Sequence, residues 1–379
     1  MMRTAFGAAC AAFALACPAP ALATTTAPGA EVALYGTMSD GREVQQVTLR
    51  NRAGMVVRVI TLGAIITHVE VPDDQGRMEN VALGLPDLPA YETRNPDYYF
   101  GGVVGRYAGR IADARFQIDG QEVRLTANDG PNALHGGAQP GFIGKVWTLR
   151  HAGPQQAVLT YTSPAGEQNF PGKLDVEITY SLTDEGALFI DYAATTDAPT
   201  VLNLTNHSYF NLAGADGGRV YDHSLRVFAD RVVATDNRGI PTGTLQPVAG
   251  TVFDFRTERP VAREPDELPA NDGVRGFNHS WLVDPQGQDL AAAARVSDPE
   301  SGRVLDVFTT EPSIHIYLAN YFPGTQVGAA GVTLAPHTGI ALETQHLPDS
   351  PNRAEFPSTL LRPGETFRSR TAYHFHLGR

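Results

Sequence analysis

The chain has 379 residues and a formal net charge of −12, and its only lysines are Lys145 and Lys173. Such an acidic balance argues against nucleic acid or an anionic membrane surface as the partner. The length would accommodate two average domains, but large all-β units often reach it as one.

The first residues read MMR, then the apolar run TAFGAACAAFALA, then PAPALA, which ends in a small-x-small site. This is the pattern of a secretory signal peptide cleaved after Ala23, and export to a bacterial periplasm is expected. The mature chain, residues 24–379, is expected to be a single domain of 356 residues (379 − 23) with a charge of −13 (−12 − 1), because the leader removes Arg3. Both cysteines, Cys10 and Cys17, lie in the leader, so the mature chain has no disulfide and no thiol nucleophile. A second reading makes Cys17 a lipid-bearing cysteine, but Ala14-Leu15-Ala16 before it matches a lipoprotein processing site poorly. No later segment approaches the roughly 18 consecutive apolar residues of a membrane-spanning helix.

From 47 to 71 the sequence VTLR, NRAG, MVVRVIT, LG, AIITHVEV predicts three strands joined by turns, closed by PDDQG. ARFQIDGQEVRL predicts a hairpin turning at Asp119-Gly120. From 146 to 234, VWTLR, AVLTYTS, LDVEITYSL, LFIDYAATT, VLNLTN and LRVFADRVVA predict further strands, with turn residues in nearly every gap. Helical signal is confined to DLPAY near 87 and EPDELP near 264. The class is therefore all-β, expected as two large antiparallel sheets face to face with a few short helices. The loop-rich stretch 236–278 lies between strands of like character and reads as part of the same domain.

Four stretches concentrate groups that hydrogen-bond sugars or move protons: GRYAGRI (105–111), PNALHGG (131–137), NLTNHSYFNL (203–212) and ALETQHLPD (341–349). GFNHSW (276–281) adds a fifth. Glu343 follows an apolar run, and a carboxylate buried there either forms an ion pair with an arginine or has its pKa raised towards the range of a general base. His207 is either a neutral core histidine or a proton donor. His135 stands before two glycines as a loop histidine. Arg110 is either a surface charge or a guanidinium that reaches sugar hydroxyls. His374 and His376 share one face of a terminal strand, but the sequence shows no third metal ligand beside them. Serine-hydrolase, Walker and Rossmann motifs are absent, and three N-x-[ST] matches fall in or beside apolar strands and read as accidental.

Together these stretches resemble the aldose 1-epimerase family. GRYAGRIADARFQIDG, PNALHGG, VLNLTNHSYFNLAG, IPTG followed by PV-x-GT-x-FDF, SGRVLDVFTTEP and ALETQHLPD occur in the family's order and spacing, covering Tyr35 to Phe375. The resemblance implies a β-supersandwich and a cofactor-free, metal-free interconversion of the α and β anomers of a free monosaccharide such as glucose or galactose. It implies Glu343 as the general base on the C1 hydroxyl and His207 as the acid on the ring oxygen, reaching the C1–O5 unit from opposite sides. Asn203, Asn206 and Ser208 would fix the His207 ring, and Arg110, His135 and Asn278 would bind the sugar. A monomer or weak dimer is expected.

Two positions depart from the family's pattern. Asn278 stands where aspartate is usual, keeping one acceptor and adding two donors, and Gly109 stands where asparagine is usual. The first departure keeps open a non-catalytic sugar-binding module on the same fold. A hexose 6-phosphate 1-epimerase would need a basic phosphate pocket, which the acidity of the chain disfavours. A polysaccharide lyase or hydrolase is a more distant reading.

Overall fold

Strands dominate the computed structural model, which describes residues 25–378 apart from 28, 139, 263, 272 and 284–289. The leader, its cleavage point and Cys17 lie outside the described residues. Five strands come first: β1 (Glu31–Thr37), β2 (Glu43–Arg50), β3 (Val56–Ile60), β4 (Ile65–Pro72) and β5 (Met78–Asn80), paired in sequence order as an antiparallel meander. The expected hairpin follows as β6 (Arg115–Ile118) and β7 (Gln121–Arg124). Its turn residues Asp119 (φ 51°) and Gly120 (φ 79°) both take the left-handed conformation that a two-residue turn between twisted strands requires.

Four long strands continue the chain: β8 (Thr148–Ala152), β9 (Gln156–Ser163), β10 (Leu174–Leu182) and β11 (Ala187–Thr196). After them come β12 (Ser224–Val227), β13 (Arg231–Thr235), β14 (Pro241–Pro247), β15 (Asn278–Leu282), β16 (Ala291–Ser297), β17 (Arg303–Thr309), β18 (Ser313–Tyr317), β19 (Ile340–Gln345) and β20 (Phe367–Leu377). The order β8-β9-β10-β11-β20-β17-β16-β12, with two-residue strands at either edge, makes a ten-stranded sheet. Tyr209–Phe210, β19, β18, β15, β13 and β14 make a six-stranded one.

These sheets share one apolar core, which takes Val57 and Val69 from the meander, Ile178, Ile190 and Tyr373 from the ten-stranded sheet, and Ile314 and Leu342 from the six-stranded sheet. Two buried hydroxyls link the layers: Tyr180 Oη donates to the Ala64 carbonyl (2.6 Å) and Tyr373 Oη to that of Leu342 (2.9 Å). This is the expected β-supersandwich. Two short α-helices occur among the described residues, Leu88–Thr93 and Asn95–Tyr98. The first is the DLPAY segment, and the Asp87 carboxylate caps it by accepting the Ala90 amide proton. EPDELP gives one 3-10 turn, Pro265–Glu267. No helix among the described residues is long and apolar enough to cross a membrane.

Two expected strands differ. LRVFADRVVA is not continuous, because the chain leaves the ten-stranded sheet after Val227 and enters the six-stranded one at Arg231. VLNLTN is not one strand either. Thr200–Val201, Thr205–Asn206 and Tyr209–Phe210 pair separately with Leu360–Leu361, Val103–Val104 and Ile340–Ala341. Bunched polar side chains that bond backbone groups of neighbouring segments interrupt the regular ladder.

Candidate active site

β19 explains how a carboxylate comes to lie inside the protein. All six of its residues are buried, and it pairs with β18 so that Glu343 stands directly across from His315. Glu343 is 2% exposed, and no arginine among the described residues pairs with it. Its Oε1 lies 3.4 Å from His207 Nε2, while its Oε2 has no partner among the described residues. Burial alone pushes the carboxyl up to about 8.

His207 is carried by the segment that pairs in three short pieces, in which residues 201–212 are all buried. Asn203 donates to the carbonyls of Ala108 and His346 and accepts the His346 amide. Asn206 donates to the Gly101 carbonyl and accepts from the amide and hydroxyl of Ser208. These side chains therefore hold backbone in place and do not touch the His207 ring, contrary to expectation. The ring is held by aromatic neighbours, Tyr99 at 5.8 Å and Tyr209 at 4.8 Å between centroids, with His135 edge-on at 5.5 Å. Its Nδ1 is buried without a hydrogen-bond partner among the described residues. Burial pushes the imidazole down to about 4, so the ring is neutral over most of the pH scale.

His135 does sit in a tight turn, at φ 51° before Gly136 and Gly137, which also have positive φ. It is only partly exposed, and its Nδ1 accepts the Gly109 amide proton (3.2 Å), which leaves Nε2 as the protonated nitrogen. Burial, then repulsion from His207 when that ring is protonated, from the Arg110 guanidinium and from protonated His315, hold it well below the usual histidine range. Arg110 is oriented by Asp129, whose carboxylate accepts from Nε at 2.7 Å. Arg106 belongs elsewhere: it is buried, and its guanidinium donates to Ser163 Oγ and to the carbonyls of Ser163, Pro164, Pro171 and Gly172. Gly109 has φ 79°, and a Cβ there would meet the Pro348 ring at 3.0 Å. A positive φ suits glycine and, after it, asparagine, so this backbone accepts both the residue present and the one the resemblance leads one to expect.

Asn278 begins β15, and its Oδ1 lies 2.8 Å from His315 Nε2, while His315 Nδ1 lies 2.8 Å from Ser280 Oγ. A carbonyl oxygen only accepts, so Nε2–H donates to Asn278 and the Ser280 hydroxyl donates to Nδ1. The single acceptor that asparagine retains is therefore used internally, and the amide NH₂ is what it offers the cleft. His315 has no counterpart among the sequence-level candidates. SIHIY alternates like an ordinary strand, and the cross-strand register that sets His315 beside Glu343 and Asn278 is not written in local sequence.

All five expected residues line one cleft of about 500 Å³, together with Tyr99, Tyr317 and His315. That volume suits a small polar ligand. The expected placement of Glu343 and His207 on opposite sides is corrected: they stand side by side. This still suits a hemiacetal, whose hydroxyl and ring oxygen share one carbon and can be reached from neighbouring positions. Each arginine lining the cleft among the described residues stands beside a carboxylate, Arg110 with Asp129 and Arg238 with Asp236, so the lining offers no excess positive charge for a phosphate. His135, His207 and Glu343 present ligand atoms within 4.8 Å of one another, which a cation can also exploit.

A large antiparallel β-sandwich with a carboxyl and an imidazole side by side in a polar cleft defines an acid/base site for a small hydroxylated ligand. The chain belongs to the aldose 1-epimerase family, whose sequence profile matches residues 45–374. It is 42% identical to galactose mutarotase of Sus scrofa over 319 residues, 84% of this chain and 90% of that one. It is 38% identical to aldose 1-epimerase of Escherichia coli (strain K12) over 341 residues, 89% and 96% of the two chains. Among solved structures it is similar to a GalM/aldose epimerase homologue from C. elegans (TM-score 0.80, 28% identity, 88% and 98% covered). It is also similar to galactose 1-epimerase from Lactobacillus acidophilus NCFM (TM-score 0.77, 30% identity, 92% and 99% covered).

Proposed function

We propose that this protein is an aldose 1-epimerase, an isomerase that interconverts the α and β anomers of a free aldohexose such as glucose or galactose. The observation that carries the proposal is the buried contact of 3.4 Å between His207 Nε2 and Glu343 Oε1 at the wall of the cleft. Glu343 takes the proton of the C1 hydroxyl while His207 gives one to the ring oxygen. The ring opens to the aldehyde, the C1–C2 bond rotates, and closure with the roles reversed delivers the other anomer. With His207 low at about 4 and Glu343 high at about 8, the pair holds one proton throughout the interval between. Burial favours that proton on Glu343, and the adjacent nitrogen gives it a short path to His207.

Arg110, His135 and Asn278 bind the sugar, the first through the guanidinium nitrogens that Asp129 leaves free and the second through Nε2–H. The mature chain is one domain, supported by a core with members from Val47 to Phe375, and acts as a monomer or weak dimer. The leader supports export to the periplasm with cleavage after Ala23, which amino-terminal sequencing of the secreted protein tests directly.

Polarimetry on fresh α-anomers of glucose, galactose, xylose and arabinose tests the main proposal. Faster approach to equilibrium than buffer alone supports it, and no acceleration with any sugar refutes it. Binding measured by calorimetry without anomer exchange would make the protein a sugar-binding module instead.

A further inference from the structure

We infer that the outer face of the ten-stranded sheet carries a transition-metal site built from His374, His376 and Asp306, suited to zinc and separate from the sugar cleft. The sequence shows the two histidines but no third ligand. Register supplies it, since Asp306 of β17 stands directly across from His374 of β20. Core residues Leu305, Tyr373 and Phe375 alternate with these three side chains, which therefore share the opposite, solvent-facing side. Ligand atoms of the three residues lie within 4.8 Å of one another.

The surroundings are arranged as around a metal. His374 Nε2 donates to the Glu185 carbonyl (3.0 Å) and His376 Nδ1 to that of Leu377 (3.0 Å). Each ring thus commits its remote nitrogen to a backbone carbonyl, the outer-sphere contact that fixes the tautomer of a ligating histidine. His376 Nε2 lies 3.0 Å from Asp306 Oδ2, a hydrogen-bonded contact in the metal-free protein. A small cation with bonds of about 2 Å can bridge the same two atoms in place of the shared proton, which binding would release. The Asp306 carboxylate is held from the other side by Arg295, through Nε at 2.6 Å and the second guanidinium nitrogen at 2.8 Å, so it does not have to be ordered on binding. Two imidazoles and one carboxylate favour zinc over magnesium or calcium and leave a position for water. The platform is rigid, because β20 lies between β11 and β17 in the middle of the sheet.

The test uses the untagged full chain after chelator treatment, titrated with zinc chloride in a calorimeter, and crystals grown with zinc and examined at the zinc absorption edge. One zinc per chain is expected on this face, with an anomalous peak between His374, His376 and Asp306. His374→Gln and His376→Gln should each weaken binding at least about tenfold, the size that even outer-sphere partners carry. Both variants should keep the wild-type rate in polarimetry. Unchanged affinity in the double variant, a peak confined to the cleft of His207 and Glu343, or no zinc bound by the wild type would each overturn the inference.

Discussion

Replacing Glu343 with glutamine should remove activity and, at neutral pH, stabilise the fold. In the folded protein the carboxyl is pushed from its ordinary 4.5 to about 8 by burial, so the native state keeps a proton that the unfolded chain releases between those values. Stability from this group is complete below pH 4.5 and declines as pH rises towards 8. At about 1.36 kcal/mol per unit, the loss is ~1 kcal/mol at pH 5 and ~3 kcal/mol at pH 7. Glutamine does not titrate and escapes it. Burying an extra amide donor costs about 1–3 kcal/mol, but that offset is the same at every pH. Urea unfolding followed through the buried Trp147 and Trp281 should show the variant gaining on the wild type by ~2 kcal/mol between pH 5 and pH 7. Parallel stabilities across that range would refute the claim that Glu343 titrates as a desolvated carboxyl.

The same pair sets a pH profile for the reaction. kcat/KM should be flat between about 4 and about 8 and fall roughly tenfold per unit outside, as the one-proton state is lost; a polarimetric series in mixed buffers checks it. His207→Asn should lower kcat by about 10²–10⁴ while the unfolding midpoint stays close to wild type, measured by polarimetry and urea titration. Asn278→Asp should put an acceptor into the cleft while its other oxygen keeps the His315 contact, lowering KM for glucose or galactose roughly 5–10-fold, the margin between a neutral and a charge-assisted hydrogen bond. Arg106→Ala should destabilise by at least ~3 kcal/mol, because several buried acceptors lose their donors together; thermal melts measure it.

Much of the fold was legible because period-two patterning and turn chemistry are local. Asp119-Gly120 announces its hairpin, and the strands of the meander fall where their apolar alternation puts them. LRVFADRVVA was harder, since both of its strands alternate in the same way and nothing local tells which sheet each will join. The bunched polar residues after Val201 announced a special segment, but their partners are backbone groups at Gly101, Ala108 and His346, far away in sequence. Register accounts for the rest. His315 beside Asn278 and Asp306 beside His376 are neighbours only because particular strands pair in a particular phase, which no short window records.

The three-way pairing of residues 200–210 also bears on how the molecule comes into being. His207 is held between partners near residue 103, near residue 340 and near residue 360, so no short fragment contains what positions it. Contacts of such sequence separation form late, after the entropy of closing long loops has been met, and chains dominated by them fold slowly. Recovery of catalysis after dilution from denaturant therefore belongs to the last step of assembly, and a chain still emerging from the ribosome is inert towards sugar until its final strands arrive.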